Sequence, residues 1–210
     1  MSYLLHIDVS CQSLEVSTSR KLGKSFVEKF TATHPGVEVQ YLDLATKIMP
    51  LLDAEANYAL FTPEESRSEG MKKKTAFRME LINQLKGADH IVACMPMHNW
   101  NIPASFKAYI DQIIVPGVND NYTKCLAGKK VTICMACGGS YSPGSYHPEW
   151  DFATGYLKLL FTNLGSEDVE VIHSEYCLAG LVPGMESLVD KKAESFLEAT
   201  LAAIKRAGEL

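Results

Sequence analysis

Apolar positions along the chain follow two alternating rhythms. Five short runs, YLLHIDV (3–9), VEVQYLDL (37–44), HIVACMPM (90–97), KKVTICMAC (129–137) and VEVIHSEYC (169–177), are apolar and rich in β-branched residues, and each reads as a strand. Between them the period lengthens to that of a helix. Residues 18–33 place Leu22, Phe26, Val27 and Phe30 on one face, and residues 103–114 do the same with Phe106, Ile110, Ile113 and Ile114. Strand then helix, five times over, predicts an α/β fold with a parallel sheet covered on both faces. The third and fourth runs are almost continuously apolar, which places them at the centre of the sheet. A doubly wound sheet opens a crevice at the carboxyl ends of its strands where strand order reverses, so the loops after strands one, three and four are expected to meet a ligand.

Composition narrows the class. The 210 residues, 47% of them hydrophobic, suit a single domain spanning 1–210, and neither an internal repeat nor a low-complexity linker interrupts them. The net charge of -5 and the scatter of lysines, apart from Lys72-Lys73-Lys74, leave no basic face that could follow a nucleic acid. The opening MSYLLHIDVS has no basic leader before its apolar run, and no stretch of ~18 apolar residues follows, so a cytoplasmic protein without a membrane anchor is expected. Six cysteines without a secretion signal are expected to be reduced. Cys134 and Cys137 form a C-x-x-C, but in a strand positions three apart face opposite sides, which argues against a dithiol or a zinc pair. No metal site is expected.

Three loops carry the candidate chemistry. After strand one, Ser10, Ser13, Ser17, Thr18 and Ser19 crowd the turn into a helix, where a phosphate would meet free N–H groups, the positive end of the helix dipole and hydroxyls. The loop has neither G-x-G-x-x-G nor G-x-x-x-x-G-K, which favours a monophosphate such as that of flavin mononucleotide (FMN); one of these residues acting only as an N-cap is the competing reading. A cysteine phosphatase is excluded, because Cys11 and Arg20 are spaced C-x8-R rather than C-x5-R. After strand three, PMHNWNIPASFKAYID puts Met97, His98, Asn99 and Trp100 in a short turn before a helix that Pro103 starts and Asn101 caps. Those four residues offer flat or polarizable surface and an amide to a planar ring; Trp100 could equally be a core or dimer contact. After strand four, Gly138-Gly139 permits close backbone approach, and an aromatic insert with Tyr141, Tyr146, His147 and Trp150 follows as a lid or a subunit contact.

PMHNWNIPASFKAYID, GGSYS and the spaced serines of the first loop resemble the FMN-dependent NADH azoreductase family, flavodoxin-like relatives of NAD(P)H quinone reductases, over nearly the whole chain. The resemblance implies strand order 2-1-3-4-5. It implies that Ser10, Ser17, Thr18 and Ser19 grip the FMN phosphate. Met97, His98, Asn99 and Trp100 would embrace the flavin ring, with Ala136, Cys137, Gly138 and Gly139 along its other edge. His98 stands where the family usually has tyrosine or tryptophan, and Ala136-Cys137 where Ser-Arg is common. Hydride would pass from NADH or NADPH to FMN and on to a quinone or azo compound in a ping-pong cycle, with His98 or His147 as candidate proton donors. The segment from Ala45 to Glu69, with a capping box at Thr62-Pro63-Glu64-Glu65, would reach over the partner's flavin in a homodimer with shared sites. The alternative is an FMN electron carrier for a protein partner, but carriers need no lid, and the long loops favour an enzyme.

Overall fold

The computed structural model describes residues 3–115 and 124–210. Strands β1 (Tyr3–Asp8), β2 (Glu38–Asp43), β3 (His90–Pro96), β4 (Lys130–Ala136) and β5 (Asp168–Ser174) form one parallel sheet in the order β2-β1-β3-β4-β5. This is the expected flavodoxin-like order, with the reversal between β1 and β3. Helices α1 (Thr18–Thr33) and α6 (Val189–Glu209) cover one face. Helices α3 (Glu69–Gly87), α4 (Ala104–Ile113) and α5 (Phe152–Asn163) cover the other, joined by the short α2 (Ala54–Ala59).

Alternation along the strands sorts side chains between the two layers. On β3, Ile91, Ala93 and Met95 join the α3–α4–α5 core, while Val92 and Cys94 join the α1–α6 core. The C-x-x-C divides in the same way, with Cys134 in the α1–α6 core and Cys137 in the other. Helix α1 lies against the sheet at a glycine. A Cβ on Gly23 would stand 2.5 Å from the Cys94 sulfur and 2.9 Å from His6 Nε2, so only a bare backbone can approach this closely. On α6, Ala199, Ala203 and Ala207 are buried at four-residue spacing, and these small side chains let it pack beside α1.

Several local expectations are corrected. The capping box at Thr62-Pro63-Glu64-Glu65 does not start a helix of any length; Glu64–Ser66 makes one 3-10 turn, and Ser68 caps α3 by accepting from the Met71 N–H at 3.0 Å. Asn101 does not cap α4. Its side-chain oxygen accepts from the adjacent Ile102 N–H at 2.8 Å, and Pro103 takes the N-cap position with no side-chain bond to give. The fifth run leaves the sheet after Ser174, because Tyr176 takes a left-handed φ of 58°. Among the described residues no helix is long and apolar enough to cross a membrane.

Candidate active site

The serine turn is held from below. Ser10 and Ser19 are buried, Ser17 is the N-cap of α1, and its Oγ accepts from the Arg20 N–H at 3.3 Å while lying 3.2 Å from Ser19 Oγ. Thr18 is half-buried at the helix start, where the first N–H groups have no intrahelical acceptor. Arg20 reaches back under the turn and donates twice to the Ser10 carbonyl, at 3.2 and 2.6 Å. The same guanidinium pairs with Asp8 at 3.0 Å and Asp43 at 2.9 Å, and Tyr41 donates its hydroxyl to Asp8 at 2.9 Å. Burial opposes the charge on Arg20, but the hydrogen bond to Asp43 and the charge of Asp8 more than offset it and raise its pKa. Arg20 therefore clamps the Ser10 backbone to the ends of β1 and β2.

The turn after β3 is a two-residue hairpin. His98 and Asn101 exchange N–H···O=C bonds of 2.9 and 3.1 Å, and the central Asn99 and Trp100 have φ of 49° and 64°. Both lie in the left-handed region, which asparagine tolerates and a bulky indole resists. The Met97 N–H is bonded to the Ala136 carbonyl at 2.8 Å, so, among the described residues, the N–H groups of Asn99 and Trp100 are the ones this turn leaves without a protein acceptor. The Trp100 carbonyl accepts from the Phe152 N–H at 3.1 Å, and its ring meets Trp150 edge-on at 5.5 Å.

After β4, the Gly138 and Gly139 carbonyls accept from the N–H groups of Leu178 and Tyr176, which ties this loop to the one after β5. Glu175 fixes the segment that follows. Its buried carboxylate accepts from the Ser140 hydroxyl at 2.7 Å, the Tyr141 N–H at 2.6 Å and the Ser142 N–H at 2.9 Å.

These loops enclose a cleft of about 560 Å³ at the carboxyl ends of β1, β3 and β4. Ser10, Ser17, Thr18 and Ser19 line one end, Met97, His98 and Asn99 one wall, and Ala136 and Gly138 the opposite wall. Three of the residues expected there line it in no part. Cys137 is buried in the α3–α4–α5 core, and burial raises its thiol pKa strongly; Gly139 lies beyond the wall; and Trp100, 47% exposed, turns toward Trp150. His147 does not line the cleft either; it is stacked on Trp150 at 3.7 Å and paired with Glu149 at 2.9 Å. The loop after β5 supplies Cys177, Leu178 and Leu181, which sequence reasoning missed; the signal was an apolar LAGL in a loop. Among the described residues that line it, none is a carboxylate.

A family model for proteins of flavodoxin-like fold matches residues 2–205. A protein of Frankia casuarinae named FMN-dependent NADH:quinone oxidoreductase is 38% identical over 210 residues, covering 99% of each chain. One of the same name from a Nostoc species is 39% identical over 181 residues, covering 83% of this chain and 87% of that one. The crystal structure of an azoreductase from Bacillus anthracis superposes with a TM-score of 0.86 at 24% identity and full coverage of both chains, a likeness of fold. The chain belongs to the flavodoxin-like family whose relatives carry the name FMN-dependent NADH:quinone oxidoreductase.

Proposed function

We propose that the chain is an FMN-dependent NAD(P)H oxidoreductase that reduces quinones, and azo compounds, by two electrons. The observation that carries this reading is the cleft itself, which joins a hydroxyl-lined helix N-terminus to a turn with free N–H donors and, among the described residues, has no carboxylate in its lining. That donor set suits a phosphate at one end and an electron-rich ring edge at the other. FMN, when bound, supplies the hydride chemistry.

The chain's own residues position and polarise. Ser10, Ser17, Thr18 and Ser19 would hold the phosphate, with the N-terminus of α1 adding its dipole. Met97 and Asn99 would face the ring, and the N–H groups of Asn99 and Gly138, which line the cleft, would stabilise negative charge that develops there. His98 borders both this cleft and a second cavity of about 480 Å³ lined by Lys107 and Tyr156, so it is the candidate proton donor to an acceptor. His147 does not line the cleft and is engaged by Trp150 and Glu149, so His98 is the stronger candidate. Donor and acceptor would take turns at one opening, a ping-pong cycle.

A homodimer with shared sites belongs to the same reading. It is supported by the exposed apolar side chains of Ile48, Leu51, Tyr58 and Phe61 in the segment between β2 and α3. A cytoplasmic location and a single domain over 1–210 complete it. The visible spectrum of the purified protein, before and after anaerobic NADH, tests the core of the proposal. An FMN spectrum that bleaches, with steady NADH oxidation by a quinone and no protein partner, supports it. A protein that cannot take up FMN would sink it, and one that bleaches but turns over only with a protein partner would be a carrier.

A further inference from the structure

Beneath the serine turn, on the α1 side of the sheet, three buried side chains converge that the cleft does not use. His6 and Asp8 alternate on β1, and Cys94 is the register partner of Asp8 on β3. His6 Nε2 lies 3.4 Å from Asp8 Oδ1 and 3.7 Å from the Cys94 sulfur, and all three ligand atoms fall within 4.8 Å of one another. A tetrahedral zinc site with ordinary bond lengths has ligand-to-ligand edges of about 3.3 to 3.6 Å. The two closest separations lie within about a tenth of an ångström of such edges, and the remaining one, within 4.8 Å, closes by up to about 1.2 Å as an ion binds.

Asp8 is only 4% exposed, and its two oxygens differ. Oδ2 accepts from Arg20 and Tyr41, whereas Oδ1 is buried with no hydrogen-bond partner and points at His6. A carboxylate oxygen left bare in the interior, beside an imidazole and a thiol, is the donor a cation would complete. His6 and Asp8 also border a separate cavity of about 270 Å³, with Leu14, Lys24 and Tyr41 on its rim, which gives an entry path and room for a water as fourth ligand.

We propose that His6 Nε2, Asp8 Oδ1 and the Cys94 sulfur form a three-ligand site for a borderline-soft divalent cation of the zinc class, separate from the cofactor cleft. The mixed nitrogen, sulfur and oxygen set selects zinc or cobalt over magnesium or calcium. Cys94 gives its thiol proton to solvent as the metal–sulfur bond forms. Because Asp8 also holds Arg20, which holds the Ser10 carbonyl, an ion here would stiffen the serine turn from behind.

Equilibrium dialysis of the FMN-loaded protein against ZnCl2, with MgCl2 in excess, is the test. One zinc per chain is expected, with affinity falling at least tenfold in His6→Asn and in Cys94→Ala, in keeping with the loss of one ligand. Cobalt substitution adds a second readout: a thiolate-to-cobalt charge-transfer band is expected in the unsubstituted protein and absent in Cys94→Ala. Far-UV circular dichroism and FMN content identify a variant that has not folded, and the cobalt band of the unsubstituted protein then decides alone. No stoichiometric zinc, or zinc retained in both folded variants, or a cobalt adduct without the sulfur band, overturns the site.

Discussion

Ser17 has two tasks that can be measured apart. Its hydroxyl caps α1 through the Arg20 N–H and faces the cleft. Ser17→Ala is expected to cost about 1 kcal/mol of stability through the lost cap, and to weaken FMN binding as well. Denaturation of the apo protein reads the first effect and an FMN titration the second; unchanged FMN affinity would leave the residue as a cap alone. The spacing of the serines was legible in the sequence because it sits directly after a strand. Arg20 was not, because its partners Asp8, Asp43 and the Ser10 carbonyl come together only when β1 and β2 pair. The same limit separates the two candidate histidines, since nothing local says that His147 stacks on Trp150 while His98 borders the cleft.

Two other histidines set a pH dependence. Burial lowers the pKa of His173, and burial with the nearby Lys130 lowers that of His90. In the unfolded chain both take up protons near an ordinary value of about 6.5, and in the folded protein only at lower pH. Their contribution to stability is thus complete above that value and is lost as pH falls through it toward the folded pKa values. Urea denaturation midpoints are expected to drop between about pH 7.5 and about pH 5.5, and to drop less in a His90→Gln/His173→Gln protein. An equal drop in both proteins would assign the effect to other groups.

At the scale of whole elements, the loop after β4 owes its shape to a residue on the far side of the next strand. Glu175 accepts three hydrogen bonds from residues 140–142, and Glu175→Gln replaces one acceptor oxygen by a donor that must face an N–H or hydroxyl. The expected cost is about 1–3 kcal/mol, together with a raised KM for the acceptor, while Ser140→Ala, which removes one bond cleanly, costs less. A Gln variant as stable as its parent, with unchanged KM, would show that the loop holds its form without the clamp. Strands and helices were legible because their hydrophobic periods differ. Their ends were not: the fifth run continues to Cys177 in sequence, yet the chain leaves the sheet at Ser174 and brings Cys177, Leu178 and Leu181 into the cleft. The switch-point rule directs attention to strands one, three and four, so this fourth loop escaped it. The capping box failed for a related reason, since Ser68 offered an equally good hydroxyl further along the chain.

For the molecule as a whole, the homodimer is the assembly to test. Ile48 and Leu51 are 85% and 81% exposed, and a Leu51→Glu chain is expected to sediment as a monomer if they lie in the interface. A dimer undisturbed by Ile48→Glu/Leu51→Glu would move the interface elsewhere. A different dependence runs through the interior. Gly23 lies five residues beyond Thr18 along α1, about 7.5 Å at the helical rise. Because the helix touches the sheet there through bare backbone, Gly23 acts as a fulcrum: a methyl group at that point would lift α1 and tilt the hydroxyls at its tip away from the cleft. Gly23→Ala should therefore lower stability by about 1–3 kcal/mol and loosen a cofactor it never meets. The setting of the serine turn over the cleft is thus calibrated by an absent side chain buried in the core.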